Sequence, residues 1–136
     1  MADLSGGRSV KLIVTAMIGD GKRILLVRYP NPPGNKHGWW LPAPELTYGQ
    51  HPDQACEKLM DSLGIGDGSC SLVEIESYET NNWHLFFHYR VRTASEPKAG
   101  PEFADTRWYD LDDLPDVSQF ALGSKARSLI ERLAKD

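Results

Sequence analysis

Glu57 and Asp61 stand four residues apart, and Asp53 stands four before Glu57. On a helix this spacing gathers side chains on one face. Carboxylate oxygens so gathered could share a hard divalent cation such as magnesium. The solvated face of an ordinary amphipathic helix has the same pattern, and that plainer reading is preferred. His84 and His88 are also four apart, but they sit in a β-rich run. Extended spacing separates them by about 13 Å, too far to chelate one zinc, so a surface or pocket-lining role is expected. The adjacent Trp39 and Trp40 offer flat rings that could stack on a base. Strand alternation should nevertheless turn one of them into the core.

The elements that must position these groups can be read from apolar periodicity. A helix is expected from Pro52 to Gly64, with Ala55, Cys56, Leu59, Met60 and Leu63 as one continuous apolar stripe. Proline suits its first turn and glycine its end. Leu59 and Leu63 should therefore be buried, with Glu57 and Asp61 facing solvent. Upstream, Val10 to Ile18 and Arg23 to Tyr29 flank Gly19-Asp20-Gly21-Lys22, a hairpin signal. Pro30 to Gly38 reads as a mobile, ligand-facing loop. A short strand, Trp39-Trp40-Leu41, should follow it. Downstream, Ser71 to Glu79 reads as a strand carrying Leu72, Ile75 and Tyr78. Trp83 to Thr93 alternates cleanly, with Trp83, Leu85, Phe87, Tyr89 and Val91 on one side and His84, Phe86, His88 and Arg90 on the other. A last helix is expected after Ser124 as N-cap, burying Ala126, Leu129, Ile130 and Leu133.

Length and composition bound the function. The 136 residues suffice for one domain with a genuine core, read here as residues 10–136 behind a flexible tail at 1–9. A net charge of -4 argues against a nucleic-acid partner. Cys56 and Cys70 match neither a disulfide framework nor a CxxC site and are expected as reduced thiols. No apolar run is long enough to span a membrane, and the N-terminal residues lack a signal-peptide layout. The expectation is a cytoplasmic protein without a membrane or nucleic-acid partner.

Three separated motifs carry a family resemblance. Trp39-Trp40-Leu41-Pro42, a loop with Gly49 and the helix ending at Gly64 resemble the signature region of the Nudix hydrolases, Gly-x5-Glu-x7-Arg-Glu-U-x-Glu-Glu-x-Gly-U with U apolar. Ile24-Leu25-Leu26-Val27-Arg28 is similar to the family's second strand. Glu102, Arg107-Trp108 and Leu111-Asp112-Asp113-Leu114-Pro115 resemble its tail segment. The match covers roughly residues 10 to 134 and implies an α/β fold, the Nudix-type α/β/α sandwich around a mixed β-sheet. The signature is degenerate. Anchored on Leu41-Pro42, its first glycine falls on Pro44 and its first glutamate on Gln50. The Arg-Glu pair falls on Lys58-Leu59, the Glu-Glu pair falls on Ser62-Leu63, and the last glycine arrives one residue early.

The resemblance implies that Arg28 faces substrate phosphate and that Glu102 is a base or distal metal ligand. Trp39, Trp40 and Gln50 complete the expected substrate contacts. Without the signature carboxylates, no cofactor is expected. The sequence therefore suggests a Nudix-fold module that binds a nucleotide or phosphorylated metabolite, or another protein, with little or no phosphoanhydride hydrolysis. A homodimer is possible. The alternative is an atypical hydrolase cleaving a nucleoside diphosphate linked to another moiety. It would need magnesium on substitute acids drawn from Glu45, Glu57, Asp61 and Glu102, with Glu57 and Asp61 the first candidates. A metal-independent acid–base enzyme acting on a non-nucleotide substrate through Glu102 or a histidine is a further alternative.

Overall fold

The computed structural model describes residues 9–30, 38–66, 68–79, 82–98, 102–121 and 123–134. The tail 1–8 and most of the expected ligand-facing loop, 31–37, lie outside them. In chain order the elements are β1 (Val10–Gly19), β2 (Arg23–Arg28), α1 (Pro52–Ser62), β3 (Ser69–Glu79), β4 (Trp83–Arg92), β5 (Asp105–Asp110) and α2 (Ser124–Ala134), with a 3-10 turn at Val117–Gln119. The sheet order is β3-β4-β1-β2-β5. β1 and β4 are parallel and the other pairs antiparallel. This is the expected mixed sheet between two helices.

β1 and β2 begin as a hairpin. Asp20 closes its turn by accepting the Lys22 and Arg23 backbone N–H groups, each at 2.9 Å. Gly21 takes φ 98°, a conformation that glycine adopts without Cβ strain. The strands pair only at Gly19 and Ile24, then diverge. The segment after Gly38 enters the gap and satisfies the separated edges. Trp40 exchanges both backbone bonds with Val27 at 2.9 Å. The Pro42 carbonyl accepts from Ala16 at 3.0 Å, and the Pro44 carbonyl from Val14 at 2.9 Å. Proline is tolerated here because only its carbonyl is used. Trp39 and Trp40 thus dock through isolated bridges, not as a regular strand.

Two apolar layers cover the sheet. On one face α1 packs Ala55, Cys56, Leu59, Met60 and Leu63 against Val14, Ala16, Ile18, Leu25, Val27, Tyr89 and Val91. On the other, α2 packs Ala126, Leu129, Ile130 and Leu133 against Met17, Ile24, Leu26, Trp39 and Leu41. The alternation read in Trp83 to Thr93 holds: Tyr89 and Val91 join the first layer, while Phe86 and His88 turn to the other face. β3 departs from the simple reading. A bulge between Leu72 and Glu74 shifts its register. Leu72 and Ile75 stay 48% and 57% exposed on this edge strand. Ser124 is the first residue of α2 and not its N-cap.

Candidate functional site

α1 starts with a reciprocal cap. The His51 ring nitrogen Nδ1 accepts from the Asp53 N–H at 3.0 Å, and Gln54 Oε1 accepts from the His51 N–H at 3.0 Å. Leu59 and Leu63 are 6% and 0% exposed, whereas Glu57 and Asp61 lie in solvent. Asp53 accepts a hydrogen bond from the buried Tyr89 hydroxyl, so one acid of the ladder has a structural partner.

A groove of about 380 Å³ runs beside α1, lined by Tyr29, Glu45, Gln50, Lys58, Leu59, Ser62, Glu102 and Phe103 among others. Its polar groups are largely engaged with one another. Gln50 Oε1 accepts from the Thr47 N–H at 3.1 Å and the Thr47 hydroxyl at 3.3 Å. The Ser62 hydroxyl lies 2.8 Å from the Leu59 carbonyl and 3.0 Å from Glu102 Oε1, with one proton to share between them. The Tyr29 hydroxyl accepts from the Ala43 N–H at 2.6 Å. Burial pushes the Tyr29 phenol up to about 12; the Ala43 bond opposes that rise and the charge of Glu102 reinforces it.

A magnesium ion on a diphosphate needs hard oxygens converging on one point. The groove offers Glu45 and Glu102, with Leu59 in its floor and the Lys58 ammonium in its wall. This donor set does not fit the ion. Among the described residues, the one group of three carboxylate or histidine ligands that converge within 4.8 Å is Glu74, Glu76 and His88, which is elsewhere.

That group lies on the α2 face, beside a cavity of about 240 Å³ lined by Trp40, Phe86, His88, Lys125 and Arg132 among others. His88, 1% exposed, lies 2.6 Å from the Thr15 hydroxyl through Nδ1 and 2.9 Å from Glu76 Oε1 through Nε2. A neutral ring satisfies both contacts, with Nε2–H donating to the carboxylate and Nδ1 accepting from Thr15. Burial pushes the His88 pKa down against the opposing pull of Glu76. Lys125 donates to Glu76 at 3.1 Å, and Arg132 holds Glu74 through two bonds of 3.0 and 2.7 Å. Burial alone would raise the Glu76 pKa, but the His88 and Lys125 bonds hold it below its usual value. The acids are already neutralised by side-chain cations, which a metal would have to displace.

The candidate residues therefore divide between two faces. Gln50 and Glu102 share the groove beside α1. Trp40 is half-buried in the wall of the second cavity. Trp39, 1% exposed, meets Tyr109 edge-on at 5.4 Å. The Arg28 guanidinium carbon sits 4.3 Å from the centre of the Trp39 ring. Sequence reasoning missed Glu76, Lys125 and Arg132. Their signal was present: Glu74 and Glu76 alternate on one side of a strand, and Lys125 and Arg132 are seven apart on a helix.

Solved structures resemble this architecture over most of its length. A MutT Nudix hydrolase from Burkholderia pseudomallei superposes with a TM-score of 0.71 at 22% identity, covering 93% of this chain and 99% of that one. The MutT protein from Methanosarcina mazei Go1 gives 0.69 at 17% identity, covering 97% and 100%. A UDP-X diphosphatase gives 0.60 at 16% identity, covering 95% and 64%. No protein-family model matches the sequence, and none of the curated proteins is significantly similar to it.

Proposed function

We propose that this chain, which has the Nudix fold, serves as a binding module for a nucleotide or another phosphorylated metabolite, with little or no phosphoanhydride hydrolysis. The observation that carries this reading is the burial of Leu59 and Leu63, which stand where the signature, anchored on Leu41-Pro42, would put two glutamates. Catalysis by metal requires an ion that polarises the phosphoryl group and activates water. The groove gives such an ion two carboxylates, one of them bonded to Ser62. Binding needs less. Arg28, stacked on Trp39, keeps N–H edges for a phosphoryl oxygen. Trp40 and Phe86 line a cavity against which a planar group could pack. Trp39 itself is covered, so its role in this reading is to hold Arg28.

The second reading, an atypical hydrolase of a nucleoside diphosphate linked to another moiety, draws on Glu45 and Glu102 sharing one groove and on a structural neighbour named as a UDP-X diphosphatase. A panel of nucleoside di- and triphosphates and nucleotide sugars, assayed with and without magnesium, separates the two. Binding seen as a rise in Tm, independent of magnesium and without released phosphate, is expected. Magnesium-dependent turnover in the ordinary enzyme range of about 1–1,000 per second would instead establish the hydrolase.

A further inference from the structure

The sheet extends beyond the helix that covers its α1 face. The β3–β4 register sets Leu72 opposite Tyr89 and Ile75 opposite Phe87. All four side chains lie on that face, where Tyr89 belongs to the core and Phe87 packs against it. Leu72 and Ile75 nevertheless stay exposed, and Leu85 and Phe87 beside them are half-buried. Single exposed apolar side chains are ordinary, but two together on the open face of a terminal strand form a shelf. The flank of α1 is its wall. Lys58 and Ser62 turn to the groove, which puts Asp53, Glu57 and Asp61 on the opposite flank, above β3. Two contacts agree with this placement. Asp53 accepts from the hydroxyl of Tyr89, the cross-strand partner of Leu72. Burial pushes the thiol of Cys70, on β3, upward; the Cys56 bond opposes that rise, and the charges of Glu57 and Asp53 reinforce it. The carboxylates of Glu57 and Asp61 are exposed and take no side-chain partner among the described residues.

We propose that this shelf docks a basic amphipathic helix of another protein, its apolar side chains on Leu72 and Ile75 and its Lys or Arg side chains along the acids of α1. Charge complementarity selects this occupant. Acids four residues apart on α1 stand about 6 Å apart along its axis, the repeat of basic residues at i and i+4 on a helix lying alongside. An apolar stripe beside such a basic row is the pattern that an open apolar shelf accepts. A second copy of this chain would set one acid ladder against another. An anionic membrane or a nucleic acid would meet the same repulsion from a chain of net charge -4. The shelf is separate from the groove and from the α2-face cavity, so it stands or falls apart from the nucleotide reading.

The test follows the fluorescence anisotropy of labelled synthetic helices, each about 15 residues long, titrated with the full chain. A Leu/Lys amphipathic helix is expected to bind, and a Leu/Glu helix of the same pattern to show no binding. Leu72→Thr with Ile75→Thr, and separately Glu57→Gln with Asp61→Asn, should each weaken the Leu/Lys helix by about tenfold or more. Threonine suits a strand and all four side chains are exposed, so both double variants should keep the native Tm. Asp112→Asn, at an exposed acid beyond β5, should leave the affinity within about twofold. Equal binding by the native chain and the Leu72/Ile75 variant would reduce the contact to charge alone and overturn the shelf. No binding of the Leu/Lys helix would overturn it too. A chain that sediments as a dimer, but as a monomer in the Leu72/Ile75 variant, would give the face to a second copy. Phosphatidylcholine–phosphatidylglycerol vesicles that bind the native chain and not that variant would give it to a membrane. Either of these results also overturns the proposal.

Discussion

Leu59 belongs to the core beneath the groove. It is 6% exposed and packs with Ala55, Cys56, Met60 and Leu63. Burying such a side chain contributes roughly 1.5–3 kcal/mol, and a carboxylate at the same place would lose that and pay for desolvation. Leu59→Glu should therefore destabilise the chain by about 3 kcal/mol or more, read from urea unfolding, and restore no hydrolysis. A variant of native stability with new magnesium-dependent activity would refute this account of the groove. Tyr29 and Tyr89 give a pH signature. Burial pushes both phenols up, and the bond to Asp53 adds to the rise for Tyr89. Unfolded tyrosine ionises near 10, so the neutral folded forms contribute stability that is fully present below about pH 10. That contribution is lost as pH climbs from about 10 toward 12, at about 1.4 kcal/mol per pH unit for each group. The urea midpoint should fall between pH 9 and 11, and fall less in Tyr29→Phe. An equal fall in both proteins would remove Tyr29 from the explanation.

At the scale of elements, α1 is positioned by its cap and held by its stripe. His51→Ala removes the acceptor for the Asp53 N–H and should cost about 1 kcal/mol while leaving the Gln54 half of the box. The opposite face of α1 should be indifferent. Glu57→Gln with Asp61→Asn changes two exposed side chains, and stability should stay within about 0.5 kcal/mol. If those acids held a cation, the double variant would lose a magnesium-dependent rise in Tm that the native chain shows. Finding that loss would revive the hydrolase reading. The divergence of β1 from β2 matters in the same way. It admits the 39–46 segment, which carries Trp39 to one face of the sheet and Pro44 and Glu45 to the groove on the other.

For the whole molecule, one sheet joins two apolar layers that, among the described residues, share no side chain. Truncating either should leave a cavity and cost about 2–5 kcal/mol. Leu63→Ala probes the α1 layer and Ile130→Ala the α2 layer, both 0% exposed. Their effects should add to within about 0.5 kcal/mol, because the two sites have no partner in common. A large coupling in the double variant would mean that the sheet transmits strain from one layer to the other.

Local pattern alone determined much of this. The period of 3.6 in Ala55 to Leu63 placed both leucines inside and both acids outside, as found. The period of two in β4 assigned its faces, because a strand between two layers must alternate. Other features required the folded chain. The spacing of Leu72, Ile75 and Tyr78 fits no single strand face: a bulge brings Leu72 and Ile75 together opposite Tyr89 and Phe87, and leaves Tyr78 opposite His84 on the other face. Trp39 and Trp40 are neighbours in sequence but serve different surroundings, because one packs under two arginines and the other lines a cavity. Arg28 and Arg107 are far apart in the chain and reach the same indole only through the β2–β5 register. Periodicity reports which side of an element faces inward, since that depends on neighbours within a turn or two. Which side chains meet across the sheet depends on strand order and register, and only the tertiary structure decides those.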